Sequence, residues 1–183
     1  DMPPAPGALS LLQMPRTHTP PPRALRVDLT VAVHRHSCDR AVLIAGVYDT
    51  PPPSFATRTA RGHILDGGDG TEGGDGAYRK PEYGPDPHSG TIYTVAGSGA
   101  TTSGGTLDHP AMFLSLNLIG SVVLDVSDTR LDAVFIDHTG QSLDHFTLKK
   151  GPDCPDQDGD RVCDADDNCP ADANDDQADA DSD

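Results

Sequence analysis

The sequence contains no tryptophan, and aromatic residues make up only 4% of its 183 residues. Hydrophobic residues in total reach 35%, whereas glycine (19) and proline (17) are abundant. So few large apolar side chains exclude an extensive aromatic core, and so many helix-breaking residues exclude a helical bundle. The composition predicts a mostly β domain with long turns and loops.

Basic residues are also scarce, with 13 Lys and Arg against 29 Asp and Glu, for a formal net charge of −16. Residues 152–183 contain 13 Asp and one Arg, which is −12. The preceding 151 residues hold the other 16 acidic and 12 basic side chains, which is −4. This distribution argues against a nucleic-acid partner, because binding to phosphates requires clustered Lys and Arg. A divalent cation is the natural partner of the acidic end.

Long apolar runs are absent, so the sequence predicts no membrane span, and it shows no recognisable secretory signal. Three of the four cysteines lie in the acidic end, at Cys154, Cys163 and Cys169, and the fourth is Cys38. Clustered cysteines in a segment without a core are typical of oxidising compartments, which predicts a secreted or cell-surface protein with a disulfide. Spacing alone leaves the pairing open. Because the sequence begins at Asp1, we expect a processed or partial product.

The chain divides into three regions by composition. Residues 1–26 contain seven prolines and no apolar periodicity, so we expect an irregular leader. Residues 27–151 carry the β-type patterns, and residues 152–183 form the acidic segment.

Alternating or β-branched apolar runs mark the expected strands. The first are Val27–Val33 and Ala41–Val47, separated by polar residues 34–40, and a Gly- and Asp-rich loop is expected over 50–90. Further runs follow from Thr91 onward: TIYTVAGS, MFLSLNL, GSVVLDV, RLDAVFID and SLDHFTLKK. Val122, Leu124 and Val126 alternate before residues 127–129, and Leu131, Ala133 and Phe135 alternate after them. These two runs predict a β-hairpin.

The acidic segment has a regular spacing of possible metal ligands. Asp156, Asp158, Asp160, Asp164 and Asp167 occupy positions 1, 3, 5, 9 and 12 of a loop, and the carbonyl of Val162 is available at position 7. Calcium prefers six to eight oxygen ligands, which a short loop supplies at this spacing. Composition alone would also fit a solvated, disordered acidic tail. The spacing favours a calcium site.

The stretch CPDQDGDRVCDADDNCPADANDDQADADSD resembles the thrombospondin type 3 repeat. The resemblance implies several Ca²⁺ ions bound along a disulfide-pinned chain, with Asp179, Asp181 and Asp183 beginning a second loop. Position 6 of the first loop, commonly Gly to permit a sharp turn, is Arg161 in this chain.

Residues 27–149 resemble the C-terminal part of calcineurin-like metallophosphoesterases, especially secreted enzymes of the purple acid phosphatase type. In that family a strand ends in Gly-His-x-His followed by Ser-Tyr-Glu-Arg, which corresponds here to VHRHSCDR at 33–40. The similarity continues through 74–81, 90–105, 109–117 and 120–148. It implies the C-terminal sheet of an αββα sandwich, and His34 and His36 as ligands of a two-metal Fe, Zn or Mn centre.

The family's other ligand motifs, Asp-x-His, Gly-Asp and Gly-Asn-His, lie upstream of Gly-His-x-His, and the 33 residues before His34 do not contain them. We therefore expect this chain alone to be inactive, and we assign no catalytic residue. Two alternatives are a structural or adhesive extracellular subunit, and a two-metal phosphomonoesterase completed by a missing N-terminal part. A sheet taken from a sandwich leaves an apolar face, so another chain or copy is expected to cover it.

Overall fold

The computed structural model describes residues 27–33, 36–46, 54–83, 89–102, 107–109, 112–174 and 176–178. Over these ranges the chain forms ten strands and one short helix, so the mostly β prediction is confirmed. The proline-rich segment 1–26 lies outside the described residues. No helix in the described part of the chain is long and apolar enough to span a bilayer.

The elements follow one another as β1 (Leu29–Ala32), β2 (Cys38–Ala41), β3 (Leu43–Ile44), α1 (Phe55–Ala60), β4 (Ile64–Asp66), β5 (Tyr78–Lys80), β6 (Ile92–Ala96), β7 (Met112–Leu116), β8 (Gly120–Val126), β9 (Arg130–Asp137) and β10 (Ser142–Lys150). After β10 the described chain is irregular.

Two four-stranded sheets and one two-stranded sheet form the β-body, the name used here for the described residues from 27 to 150. The first sheet has the order β1-β6-β2-β7, the second β5-β10-β9-β8, and β3 pairs with β4. β1 runs parallel to β6, and β5 runs parallel to β10, whereas the other pairs are antiparallel. Both larger sheets are therefore mixed.

The main core lies between the two larger sheets, because its members come from strands of both. Apolar side chains in this space are removed from water, which stabilises the packing of the two sheets. The buried members are Leu43, Tyr78, Ile92, Ala133, Phe146 and Leu148, with Leu29, Val122 and Leu131 packed against them. A smaller cluster of Ala41, Val42 and Ile44 packs with Ile64, Tyr93 and Met112.

The predicted hairpin is confirmed as β8 and β9, which pair antiparallel across a three-residue connection, 127–129. The residues that alternate in the sequence are direct partners: Val122 faces Phe135, Leu124 faces Ala133 and Val126 faces Leu131. A side-chain period of two places each set on one face of the sheet, which is why the alternation indicated the pairing.

The polar segment before residue 41 differs from its predicted role as a link between strands. Its second half forms strand β2, where Cys38, Asp39 and Arg40 are at most 2% exposed. The Ser37 hydroxyl donates a hydrogen bond to Asp39 (2.6 Å), and Arg40 is paired across the core with Asp144. Burial raises the pKa of the Cys38 thiol to about 12, and the charges of Asp144 and Asp39 act in the same direction.

The predicted loop over residues 50–90 also contains regular structure. Ser54 caps helix α1, because its hydroxyl accepts a hydrogen bond from the Thr57 amide at 3.2 Å. Strands β4 and β5 follow within the same stretch. The repeated GGDG sequence lies between them, and Asp69 caps this turn by accepting from the amides of Thr71 (2.8 Å) and Asp75 (3.2 Å).

Candidate metal site

The acidic segment leaves the β-body at Gly151, directly after β10. Gly151 has φ +98°, a conformation that favours glycine, and its amide donates to the Lys80 carbonyl at 2.9 Å. A disulfide joins Cys154 to Cys163, with 5.7 Å between their Cα atoms. The Asp164 amide donates to the Pro155 carbonyl at 2.9 Å beside this crosslink. The chain between the two cysteines is thereby closed into a short loop.

Three carboxylates converge within that loop. Asp156, Asp158 and Asp160 each present an oxygen such that the three oxygens lie within 4.8 Å of one another. Asp160 is the most buried of the three, at 6% exposed. Oxygens that share one bound ion at the usual Ca²⁺ distances of about 2.3–2.6 Å are necessarily within about 5 Å of one another, so the spacing suits a single cation.

Backbone amides hold these carboxylates in place. Asp156 accepts from the amides of Gly159 (2.8 Å) and Arg161 (3.0 Å), and Asp160 accepts from those of Val162 (2.8 Å) and Asn174 (3.0 Å). Each contact orients a carboxylate through a backbone amide and not through a basic side chain, and the amide of Asn174 comes from beyond the loop.

In the described part of the chain, Asp158, the third member of the cluster, has a hydrogen bond to only one of its two carboxylate oxygens. Its Oδ1 accepts from the Asp160 amide at 3.2 Å, whereas its Oδ2 is buried and has no hydrogen-bond partner among the described residues. A buried oxygen without a partner is costly, and a cation is one group that satisfies it. The residues present therefore fit a bound metal ion.

The electrostatics of the loop also favour a bound cation. Burial raises the pKa of Asp158 above its ordinary value of 3.8, and the charges of Asp160, Asp167 and Asp156 raise it further against the opposing hydrogen bond from the Asp160 amide. Like charges this close disfavour ionisation of all of them together. An all-carboxylate set suits a hard cation such as Ca²⁺ or Mg²⁺ better than a soft transition metal.

The other predicted calcium ligands lie outside this group of three. Asp164 accepts from the Gln157 amide (2.8 Å), and Asp167 accepts from the Cys169 amide (2.8 Å) and the Gln177 side chain (3.0 Å). Val162 is half-buried and its amide binds Asp160. The predicted ligands of a second loop, Asp179, Asp181 and Asp183, lie outside the described residues.

Arg161 occupies the position of the loop where a glycine is common. It has φ +78°, the left-handed conformation, and its guanidinium leaves the loop to reach the Asp128 carboxylate at 2.9 Å and the Tyr83 ring at 5.9 Å. The spacing of the aspartates assigned Arg161 to position 6 of the loop, where a Gly would permit the sharp turn. It carried no signal for the contact with the β-body, which sequence reasoning missed.

The predicted transition-metal ligands belong to another part of the chain, just before strand β2. His34 lies outside the described residues, and His36 is exposed. Among the residues described, the three-carboxylate group is the one set of three or more His, Cys, Asp or Glu side chains close enough to share an ion, and it contains no histidine. His36 belongs to no group of this kind in the described part of the chain, and a two-metal centre held by His34 and His36 stays a prediction.

Comparison with solved structures finds similarity to a plant enzyme. The chain is similar to purple acid phosphatase PPD1 isolated from yellow lupin (Lupinus luteus) seeds, with a TM-score of 0.47 and 17% sequence identity. The match covers 68% of this chain and 18% of that chain, so the present chain spans less than a fifth of the enzyme. No protein-family model and no curated protein matches the sequence.

Proposed function

We propose that this protein binds Ca²⁺ through the loop at residues 156–167, with Asp156, Asp158 and Asp160 as the central ligands. The convergence of their three carboxylate oxygens, within 4.8 Å of one another, is the observation that carries this proposal. The buried Asp158 Oδ2 supports it, because a cation would supply the missing partner. Asp164, Asp167 and the Val162 carbonyl are the further oxygen ligands that the loop spacing offers.

We also propose that the protein is located outside the cytosol, either secreted or at the cell surface. The disulfide between Cys154 and Cys163 supports this, because such bonds persist in oxidising compartments. Extracellular modules bind Ca²⁺ with dissociation constants of about 10⁻⁴ to 10⁻³ M, which matches the abundance of the ion there.

Calorimetric titration of the oxidised full chain with CaCl₂ tests the calcium proposal. Wild type should bind, and Asp158→Asn should weaken binding by at least about tenfold, because it removes a charged ligand while nearly preserving shape. Asp166→Asn is the matched control: Asp166 is exposed, lies six residues from Asp160 and is not a member of the cluster.

Two outcomes would count against the proposal. Absence of calcium uptake by wild type would leave a solvated acidic tail as the better description. An equal loss in Asp158→Asn and Asp166→Asn would mean that only the overall charge of the segment attracts the ion.

We propose further that the β-body corresponds to the C-terminal sheet of a phosphoesterase αββα sandwich and that this chain alone has no phosphatase activity. The sequence similarity around VHRHSCDR supports the correspondence, and the exposed His36, which has no metal-sized cluster around it in the described region, supports the lack of activity. With Zn²⁺, Mn²⁺ or Fe³⁺ added, wild type should hydrolyse an aryl phosphate no faster than a His34→Ala/His36→Ala variant. A clear difference would favour the alternative of a two-metal hydrolase completed by a missing N-terminal part.

Assembly with a second copy is the other candidate role. Among the described strands β8 lies at the edge of its sheet, and it exposes Val123 (52%) and Val126 (64%) to solvent. Unpaired apolar edges of this kind add strands from other chains. Light scattering should detect a dimer that a Val123→Lys variant loses, and a wild-type monomer at every concentration would contradict the proposal.

A further inference from the structure

Arg161 belongs to two parts of the molecule at once. Its amide donates to Asp156 Oδ2 at 3.0 Å, so its backbone is part of the acidic loop. Its side chain donates from Nη2 to Asp128 Oδ2 at 2.9 Å, and Asp128 lies in the turn between β8 and β9. One residue therefore connects the proposed calcium site with the β-body.

The backbone of Arg161 adopts a conformation that L-residues disfavour. A φ of +78° is normally supplied by glycine, as at the neighbouring Gly159, which has φ +80°. Glycine at position 161 would allow this turn without strain but would remove the side chain that contacts the β-body. An arginine in this conformation carries backbone strain, which the contact of its side chain with the β-body offsets.

The surface of the β-body that receives Arg161 also packs closely against the start of the acidic segment. The guanidinium carbon lies 5.9 Å from the centre of the Tyr83 ring, and a Cβ atom at Gly151 would lie 2.2 Å from that ring. Tyr83 thus sits directly against the residue at which the acidic segment begins. A second ion pair, Arg79 to Asp153 at 2.7 Å, holds the same junction.

We infer that Arg161 couples calcium binding in the acidic loop to docking of that loop on the β-body. The inference rests on the proposed calcium function. Fixing Asp156 around a cation fixes the Arg161 amide, which in turn positions the guanidinium over Asp128 and Tyr83. Coupling of this kind is reciprocal, so a docked Arg161 strengthens calcium binding by the same factor.

The coupling is modest, because both partners face solvent: the side chains of Arg161 and Asp128 are 50% and 86% exposed. An exposed ion pair changes an equilibrium constant by about 1.5-fold to 5-fold. High salt screens the pair and should reduce the coupling further.

Calcium titration of the full chain separates this inference from the calcium proposal. Asp128→Asn should weaken the affinity for CaCl₂ by about 1.5-fold to 5-fold at low salt, with a smaller effect at high salt. Asp125→Asn, an exposed aspartate on β8 of the same hairpin, is the matched control and should leave the affinity unchanged.

Hydrogen exchange supplies a second measurement that does not depend on affinity. The Lys150 amide donates to Thr129 O (2.8 Å) and the Gly151 amide to Lys80 O (2.9 Å), so both report on the junction. CaCl₂ should slow exchange of these amides in wild type. In Arg161→Gly, which accepts the left-handed turn and lacks the guanidinium, calcium should still bind but no longer slow them.

The outcomes distinguish the two proposals. If wild type takes up calcium, but Asp128→Asn binds it equally well and the junction amides exchange alike with and without the ion, the coupling is refuted while the calcium site stands. If wild type takes up no calcium, both proposals fall.

Discussion

Arg40 of β2 and Asp144 of β10 form a two-point ion pair between the two larger sheets. Arg40 donates from Nε and Nη2 to the two Asp144 oxygens, each at 2.7 Å, and the side chains are only 2% and 11% exposed. The remaining Nη1 donates to the Tyr78 hydroxyl at 2.9 Å, and the Phe113 ring lies 4.6 Å from the guanidinium. Burial opposes the charge on Arg40, but Asp144 outweighs it and raises the Arg40 pKa.

Removing one partner of this pair should be strongly destabilising. Asp144→Asn leaves Arg40 buried without a counter-charge, and we expect the free energy of unfolding to fall by about 3–5 kcal/mol. Urea denaturation measures this, with the exposed Asp125→Asn as a control that should change stability by less than about 0.5 kcal/mol. The double replacement Arg40→Met/Asp144→Leu should cost less than Asp144→Asn alone, because it leaves no buried charge. A double variant less stable than the single one would contradict this account.

Glu72 should give the protein a component of stability that depends on pH. Hydrogen bonds from Arg130 and Lys149 lower the pKa of Glu72 from 4.5 to about 2. Because the folded-state pKa is depressed, the stabilisation is fully present above pH 4.5 and is lost as the pH falls toward 2. Glu72→Gln should therefore lower the melting temperature at pH 6 and have little effect near pH 2. Because the side chains of Arg130 and Glu72 are both exposed, added salt should reduce the difference in melting temperature between wild type and Glu72→Gln.

An NMR titration of the Glu72 carboxylate checks the same expectation directly. Its midpoint should lie well below 4.5, and Glu82→Gln, at another exposed glutamate, should not alter that midpoint. A midpoint near 4.5 would mean that Arg130 and Lys149 are solvated separately and that the bridge is not populated in solution.

Local sequence patterns predicted the parts of the fold that depend on local periodicity. The β8–β9 hairpin is the clearest case, because Val122 and Phe135 occupy matching places in two alternating runs and become direct partners. Strand β2 could not be recognised in this way. Its buried Arg40 is satisfied by Asp144, 104 positions away, and no local pattern reveals a partner at that distance.

The candidate site also has one part that the local sequence predicted and one part that it did not. The spacing of Asp156, Asp158 and Asp160 predicted a cluster, because a short loop brings alternate residues together. The contact from Arg161 to Asp128 spans 33 positions and depends on how the segment turns at Gly151. Sequence spacing within the loop contains no information about that turn.

Opening the disulfide between Cys154 and Cys163 should weaken calcium binding, because the crosslink closes the loop that carries the proposed ligands. A closed loop of this size constrains the unbound chain by up to about 3 kcal/mol. We expect Cys154→Ser/Cys163→Ser to reduce the calcium affinity by about tenfold to a hundredfold. Calorimetry measures the affinity, and wild type treated with a reductant should show the same loss. An unchanged affinity in both samples would mean that the ligands are arranged without the crosslink.

Gly70 tests the packing around Tyr78, whose hydroxyl links Arg40 to the Gly68 carbonyl. Gly70 has φ +74°, and a Cβ atom there would lie 2.4 Å from the Tyr78 ring, whereas Gly140 has φ +87° and open space around it. Gly140→Ala should therefore cost only the backbone strain, about 1–2 kcal/mol. Gly70→Ala should add about 1–3 kcal/mol of overpacking, because the fully buried ring cannot move aside without disturbing its hydrogen bonds. Chemical denaturation of both variants gives the difference, and equal losses of stability would show that the Tyr78 ring yields freely.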